Sequence, residues 1–360
     1  MKICKKLVTI LDKIWYNAFL NLLKEGTNMS TGNGNNKKTR NGWKGLLALV
    51  LVIILSLFGI SESNPELWQE IIQYISQEET IEPETNNQTV LPVEGTLEMH
   101  VIDVGQGDCI LIRQGEHAML VDCGEPECAD VVIKYLKDHG IDYLDFFVCT
   151  HVHSDHMGAA GSVIKAVRIG VVYTPDDSNT TLYYEDFMQA VLDNNLTWKF
   201  PEMGQVTQLG DARIQFIAPS LQSYSNTNNY SIGIIVSFGE VDIVLTGDAE
   251  KKAEKEMIET GLLKDVEVFK AGHHGSDTSN TQEFLEVIKP EYVVISAGFG
   301  NKHDHPIKSV MERFKEMGII VLRTDESGTI VMNTDGKNIT WNVEPGDYLS
   351  GEELVQERGK

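Results

Sequence analysis

Residues 150–159 read THVHSDHMGA and put His151, His153, Asp155 and His156 within six positions, directly after the apolar run Leu144–Cys149. Imidazole and carboxylate groups are the ligands that zinc, manganese and iron accept. The chain holds ten histidines, and three of them stand in this one loop. The spacing predicts a strand that ends at Cys149, a loop that presents His151 and His153, and a helix over DHMGAAGSVIKAV that begins with Asp155 and His156.

One loop cannot complete a metal site, so further ligands must come from other strand ends. VLTGDAE places Asp248 after an apolar run, FKAGHHGSDTS places His273 and His274 after another, and GNKHDHPIKS places His303 and His305 after a third. Each is weak alone, because a TGD turn is commonly a helix cap and paired histidines commonly lie on a surface loop. Together these loops gather seven of the ten histidines.

The elements that must position these groups are legible as alternation. From Thr96 onward, LEMHVIDVG, DCILIRQG and HAMLVDCG alternate apolar and polar residues between glycine turns, as a strand meander does. A helix is predicted at Glu127–His139, closed by Gly140. Strands follow at IGVVYTP, RIQFIAP, SIGIIVSFG and VDIVLTGD, with helices at Tyr183–Asn194 and Glu250–Thr260. Four more strands, VEVFKAG, PEYVVISAG, GIIVLRT and GTIVMNT, are separated by helices at Thr281–Ile288 and Pro306–Met317. Repeated alternation of this kind predicts a layered α/β sandwich. Cys109 and Cys149 fall inside apolar strand patterns and read as buried thiols. Cys123 and Cys128 could pair in an oxidising compartment.

Charge divides the 360-residue chain, whose formal net charge is -23. Residues 1–44 carry nine Lys and Arg against two acids, whereas the remainder carries 21 against 51. Between them Gly45–Ile60, GLLALVLVIILSLFGI, has no charged residue and is flanked by Trp43 and Lys44. Such a segment predicts a single membrane helix over 43–60, and the basic side of the span predicts a cytoplasmic N-terminus. The expected organisation is a basic lead at 1–42, the anchor, an acidic proline-interrupted stalk at 61–95, a folded domain at 96–345 outside the membrane, and a tail at 346–360. Translation could instead begin at Met29. No protein partner can be inferred.

The motif His-x-His-x-Asp-His resembles that of the metallo-β-lactamase superfamily. The wider set, HVIDVGQGDCILI, MLVDCGE, THVHSDHMGA, TNNYSIGIIV, VLTGDAE, FKAGHHGSDTS, NKHDHP and LRTDESGTIVM, resembles the hydrolase domain of ComEC-type competence proteins over residues 98–345. Choline-phosphate esterases of bacterial surfaces are similar only around the metal loops. The resemblance implies a four-layer αββα sandwich holding two divalent ions, zinc first and manganese as the alternative. It implies that His151 and His153 hold one ion, Asp155 and His156 the other, and that Asp248 bridges both. Residues 157–247 contain no histidine, although most of the superfamily supplies a ligand there. The resemblance implies instead that His273 or His274, with His273 favoured, completes the first site and His305 the second. His303 reads as a solvated neighbour. ComEC-type proteins join this domain to a polytopic channel, whereas one span and a stalk precede it here, so only the hydrolase carries over.

A dimetal site lowers the pKa of bound water and steadies negative charge on the reacting group, with Asp155 and Asp248 as the catalytic carboxylates that fix the nucleophile. Lys270 is a candidate to neutralise a phosphate oxygen. Asn228, Asn229, Ser231 and His274 are candidates to orient substrate. Asp103, Gly105, Gly107 and Asp108 read as a turn beside the site, and Asp122 as an acceptor behind a ligand histidine. The favoured function is a metal-dependent phosphodiesterase or nuclease. A domain this acidic repels a long polyanion, so short nucleotides or an envelope phosphodiester are expected beside DNA. The rival readings are an acyl hydrolase for a lactone, thioester or β-lactam, and a surface binding module without catalysis.

Overall fold

In a computed structural model the described residues are 93–220 and 223–358. The expected basic lead, membrane anchor and almost all of the stalk lie outside them. No helix among the described residues is long and apolar enough to cross a membrane.

Two mixed sheets form the centre. The first orders its eight strands β15-β14-β1-β2-β3-β4-β5-β6, where β1 is Leu97–Val101, β2 Ile110–Gln114, β3 His117–Val121, β4 Tyr143–Val148, β5 Arg168–Tyr173, β6 Thr197–Lys199, β14 Ile330–Thr334 and β15 Ile339–Trp341. The second orders β13-β12-β11-β10-β9-β8-β7, with β7 Val206–Leu209, β8 Ala212–Ala218, β9 Gly233–Phe238, β10 Val241–Leu245, β11 Val268–Lys270, β12 Tyr292–Ile295 and β13 Ile320–Arg323. Apolar residues on alternate positions of both sheets, among them Leu97, Met99, Ile110, Ile214, Val236 and Ile243, fill the space between them. Period-two side-chain direction explains this: one face of each strand turns to the other sheet and the other face turns to helices.

Helices cover both outer faces. The first sheet is packed by α1 (Ala129–Asp138), α3 (Ala160–Ala166) and α4 (Leu182–Asp193), through Val132, Leu136, Val163 and Phe187. The second is packed by α5 (Lys251–Thr260), α6 (Gln282–Ile288) and α7 (Lys308–Glu316), through Met257, Phe284 and Phe314. The short α2 (Ser154–Met157) precedes α3; the expected continuous helix breaks at Gly158, where a Cβ would stand 2.5 Å from the Pro126 ring and so could not pass. A four-residue turn of helix, α8 (Thr324–Ser327), and a final helix, α9 (Gly351–Arg358), complete the set.

Parallel pairing aligns the strand ends that matter. β3, β4, β5 and β6 run parallel in one sheet, and β10, β11, β12 and β13 run parallel in the other. Their C-terminal ends carry the loops at 122, 150–156, 248, 271–276 and 297–306. Among the described residues the four cysteines, Cys109, Cys123, Cys128 and Cys149, are free thiols, so Cys123 and Cys128 do not pair.

Candidate metal centre

Asp248 stands at the middle of the cluster. The β10 strand delivers it, the hydroxyl of Ser231 accepts its backbone N–H at 3.0 Å, and its carboxylate is buried. On one oxygen, Oδ2, lie His151 Nε2 at 3.7 Å and His273 Nε2 at 3.5 Å. On the other, Oδ1, lie His156 Nε2 at 3.1 Å and His274 Nε2 at 3.6 Å. His153 joins the first set, with Nδ1 3.0 Å from His151 Nε2, and Asp155 joins the second, with Oδ2 3.3 Å from His274 Nε2. The ligand atoms of Asp155, His156, Asp248 and His274, and separately those of His151, His153 and Asp248, are close enough to share one ion each.

The rings are fixed from behind. His156 donates from Nδ1 to Asp122 at 2.8 Å, His274 donates from Nδ1 to the Ser296 carbonyl at 2.9 Å, and His273 Nδ1 meets the Thr278 hydroxyl at 3.0 Å. An anchored Nδ1 leaves Nε2 to face the centre, which is how ligand histidines are oriented. Asp122 also accepts from the Thr150 N–H and hydroxyl, both at 2.7 Å, so it fixes the loop backbone and the ring together.

The tandem histidines reach Asp248 through an uncommon backbone. His273 (φ 49°, ψ 47°) and His274 (φ 55°, ψ 24°) both adopt left-handed conformations, which cost of order 1–3 kcal/mol each outside glycine. The buried side chain of Asn280 holds this turn: its Oδ1 accepts from Gly272 N at 2.9 Å, and its amide donates to Gly272 O at 2.9 Å and Ser276 O at 3.0 Å. Glu254 in turn accepts from the N–H groups of Asn280 and Thr281, at 2.6 and 3.0 Å.

Electrostatics differ between the two oxygens of Asp248. Burial favours the neutral form of every ring. On the Oδ1 side the carboxylates of Asp248, Asp122 and Asp155 overcome it and hold His156 well above the ordinary imidazole range. His274 is likewise pushed up to about 9 against burial, chiefly by Asp248 and Asp108. On the Oδ2 side burial wins: His151 is held well below its usual range, with His156 adding to the effect, and His273 is also lowered. Asp248 itself is kept well below the carboxylate range, since His156, His274 and His273 outweigh its burial.

The residues fit divalent ions. His156 Nε2, His274 Nε2 and Asp248 Oδ1 are buried and have no hydrogen-bond partner among the described residues, although they converge on one point. Buried polar atoms are almost always satisfied, so this convergence asks for a cation. The donors are nitrogen and carboxylate oxygen with no thiolate, a set that suits zinc, manganese or iron.

Other candidates take different places. The sequence treats His273 and His274 as alternatives; the structure brings both to Asp248, one on each oxygen. His305, expected to complete the second site, stands beside both rings, 5.4 Å from that of His273 and 6.3 Å from that of His274; its Nδ1 is buried without a hydrogen-bond partner among the described residues, and burial beside three imidazoles lowers it to about 3. Lys270, a candidate for substrate phosphate, is buried, its ammonium 2.8 Å from Asp108 and 2.9 Å from the Ala271 carbonyl. Asp108 also lies 3.2 Å from His274 Nδ1. Asn228 and Asn229 are buried behind Asp248: Asn228 donates to Glu250 at 3.0 Å, and the Asn229 side-chain oxygen accepts from Glu250 N and Ala253 N, both at 3.3 Å, at the start of α5. Asn280, Glu254 and Gln106 carry no signal at the sequence level beyond their polar type, yet all three shape the centre or the cleft beside it.

That cleft, of about 450 Å³, opens onto His153 and Asp155 and is walled by Gln106, Glu125, Tyr183 and the loop 301–303.

The chain is similar to ComE operon protein 3 of Bacillus subtilis (strain 168), 30% identical over 273 residues, 71% of this chain and 35% of that protein. It is similar to competence protein ComA of Neisseria gonorrhoeae, 31% identical over 232 residues, 64% of this chain and 31% of that one. The chain thus spans about a third of the length of these relatives. Among solved structures, the metallo-beta-lactamase fold protein YhfI from Bacillus subtilis superposes with a TM-score of 0.49 at 15% identity, covering 67% of this chain and all of that one. The profile of the metallo-beta-lactamase superfamily matches residues 102–298, more than half of the sequence, and the chain belongs to that superfamily.

Proposed function

We propose that the chain is a membrane-anchored phosphodiesterase or nuclease, anchored through its apolar segment 43–60 with its hydrolase domain outside the cell. The observation that carries the chemistry is Asp248, whose two oxygens each face a separate set of ring nitrogens. Two divalent ions held there, zinc or manganese, would activate water and offset charge on a phosphoryl group. His151, His153 and His273 would hold one ion and Asp155, His156 and His274 the other, with Asp248 between them. The neutral rings of His151 and His273 offer lone pairs directly. The imidazoles of His156 and His274 would surrender protons as they bind.

Asp155 is the part-exposed carboxylate of the set. Its carboxyl is held below the usual range, because His156 and His274 outweigh its burial. It therefore orients water by accepting its hydrogen bond and retains no proton at neutral pH. The acidic domain favours short nucleotides or an envelope phosphodiester over long DNA.

The test uses the purified full chain with a chromogenic phosphodiester, single-stranded DNA and a β-lactam, in zinc or manganese and in chelator, alongside His153→Ala. Diester cleavage abolished by chelator and by the substitution supports the reading. Turnover of the lactam alone selects acyl hydrolysis, and stoichiometric metal with no turnover selects a binding module.

A further inference from the structure

The cleft beside the metal centre holds donors that the metal site does not use. Gln106 lines it; its Oε1 accepts from Gly298 N at 3.3 Å, while its Nε2 is buried with no hydrogen-bond partner among the described residues. A buried amide left unpaired is costly, and an oxygen of a bound ligand would satisfy it. Lys302 and His303 stand on the same wall, both exposed, and Lys302 forms no ion pair among the described residues.

The loop that carries them is rigidly built. Asn301 accepts from His303 N and His305 N, each at 3.1 Å, and donates to Gly298 O at 2.9 Å and His305 O at 2.6 Å. The His303 ring stacks on His305 at 5.4 Å. Behind the loop, Gly351 at the start of α9 donates to Pro306 O at 2.9 Å, so close that a Cβ there would stand 2.3 Å from His305 O. The backbone that carries Lys302 and His303 is therefore fixed, and both line the cleft that also takes in His153 and Asp155, in a domain that is otherwise strongly acidic.

We infer that Gln106, Lys302 and His303 form a subsite for a second phosphate, the one adjoining the phosphate under attack. This rests on the phosphodiesterase reading and narrows it: the preferred substrate is a nucleotide chain with at least two phosphates, and an isolated diester is a poor one. Glu125, on the cleft wall, penalises a bare run of charge and can accept from a sugar hydroxyl.

The test compares the thymidine dinucleotide TpT with its 5′-phosphorylated form pTpT. KM is measured on the full chain with manganese, and binding is measured by calorimetry in chelator, where neither compound is cleaved. The native protein is expected to favour pTpT about tenfold in both readouts, a ratio set by one charge-assisted contact. Gln106→Leu and Lys302→Glu are expected to bring both ratios close to one; Lys302 is exposed, so its variant folds even if the other does not. A native protein that treats the two dinucleotides alike, or variants that keep the preference, overturns the subsite and leaves the phosphodiesterase reading intact. Cleavage of neither dinucleotide by a metal-loaded protein that turns over a β-lactam overturns both.

Discussion

Asn280→Gly isolates the strut beneath the tandem histidines. Asn280 itself has φ 59°, so glycine keeps the backbone without new strain and removes only the side-chain amide. Three buried hydrogen bonds are lost, at about 1 kcal/mol net apiece, or about 3 kcal/mol of support. Against this stands the left-handed conformation of His273 and His274, which together hold about 2–6 kcal/mol of strain. Support and strain are of the same size, so the turn without its strut relaxes and the rings leave Asp248. The folded body changes little by comparison, because relaxation relieves the strain. The expected outcome is a fall in zinc affinity of about 10–100-fold, measured by competition with a chromophoric chelator. In excess chelator the melting temperature drops by less than about 10 °C. Zinc affinity within twofold of native would refute the argument that Asn280 holds the turn against strain.

Three further outcomes follow from the same geometry. His274 is raised to about 9 in the folded protein against about 6.5 unfolded, so its stabilising contribution in metal-free protein is complete below about pH 6.5 and is lost as pH rises through 9; melting in chelator should fall over that window, and His274→Gln should flatten the slope. Lys270→Met leaves the buried Asp108 without its ammonium and should cost about 3–5 kcal/mol in urea unfolding, whereas adding Asp108→Asn should recover most of it. Gly107→Ala would put a Cβ 2.3 Å from the Asp155 carbonyl at φ 136°, so it should displace Asp155 and cut hydrolysis more than tenfold while the circular dichroism spectrum is kept.

The large elements were legible because their periods are long enough to read. Residues 250–260 and 306–317 carry helical stripes whose apolar members, Met257 and Phe314, are buried where the pattern puts them. β6, β7 and β15 went unread because three or four residues such as Thr197–Lys199 contain no repeat to detect. At the site, the cluster at 151–156 announced its chemistry by type and spacing alone. The joint use of His273 and His274 did not, since it depends on two consecutive left-handed residues that histidine adopts only when something distant enforces it. Lys270 misleads for a related reason. A lysine at a strand end is ordinarily solvated, and only the arrival of Asp108, 162 residues away in the chain, turns it inward.

The candidate ligands are divided between the two sheets. His151, His153, Asp155 and His156 hang from the end of β4, while Asp248, His273 and His274 hang from β10 and β11. Neither half holds all of the candidate ligands. A seated ion would therefore act as a clasp across the open end of the sandwich, tightening the seam in proportion to its free concentration over its dissociation constant. Loss of the ion would be felt first as slippage between layers, ahead of any unravelling within either one.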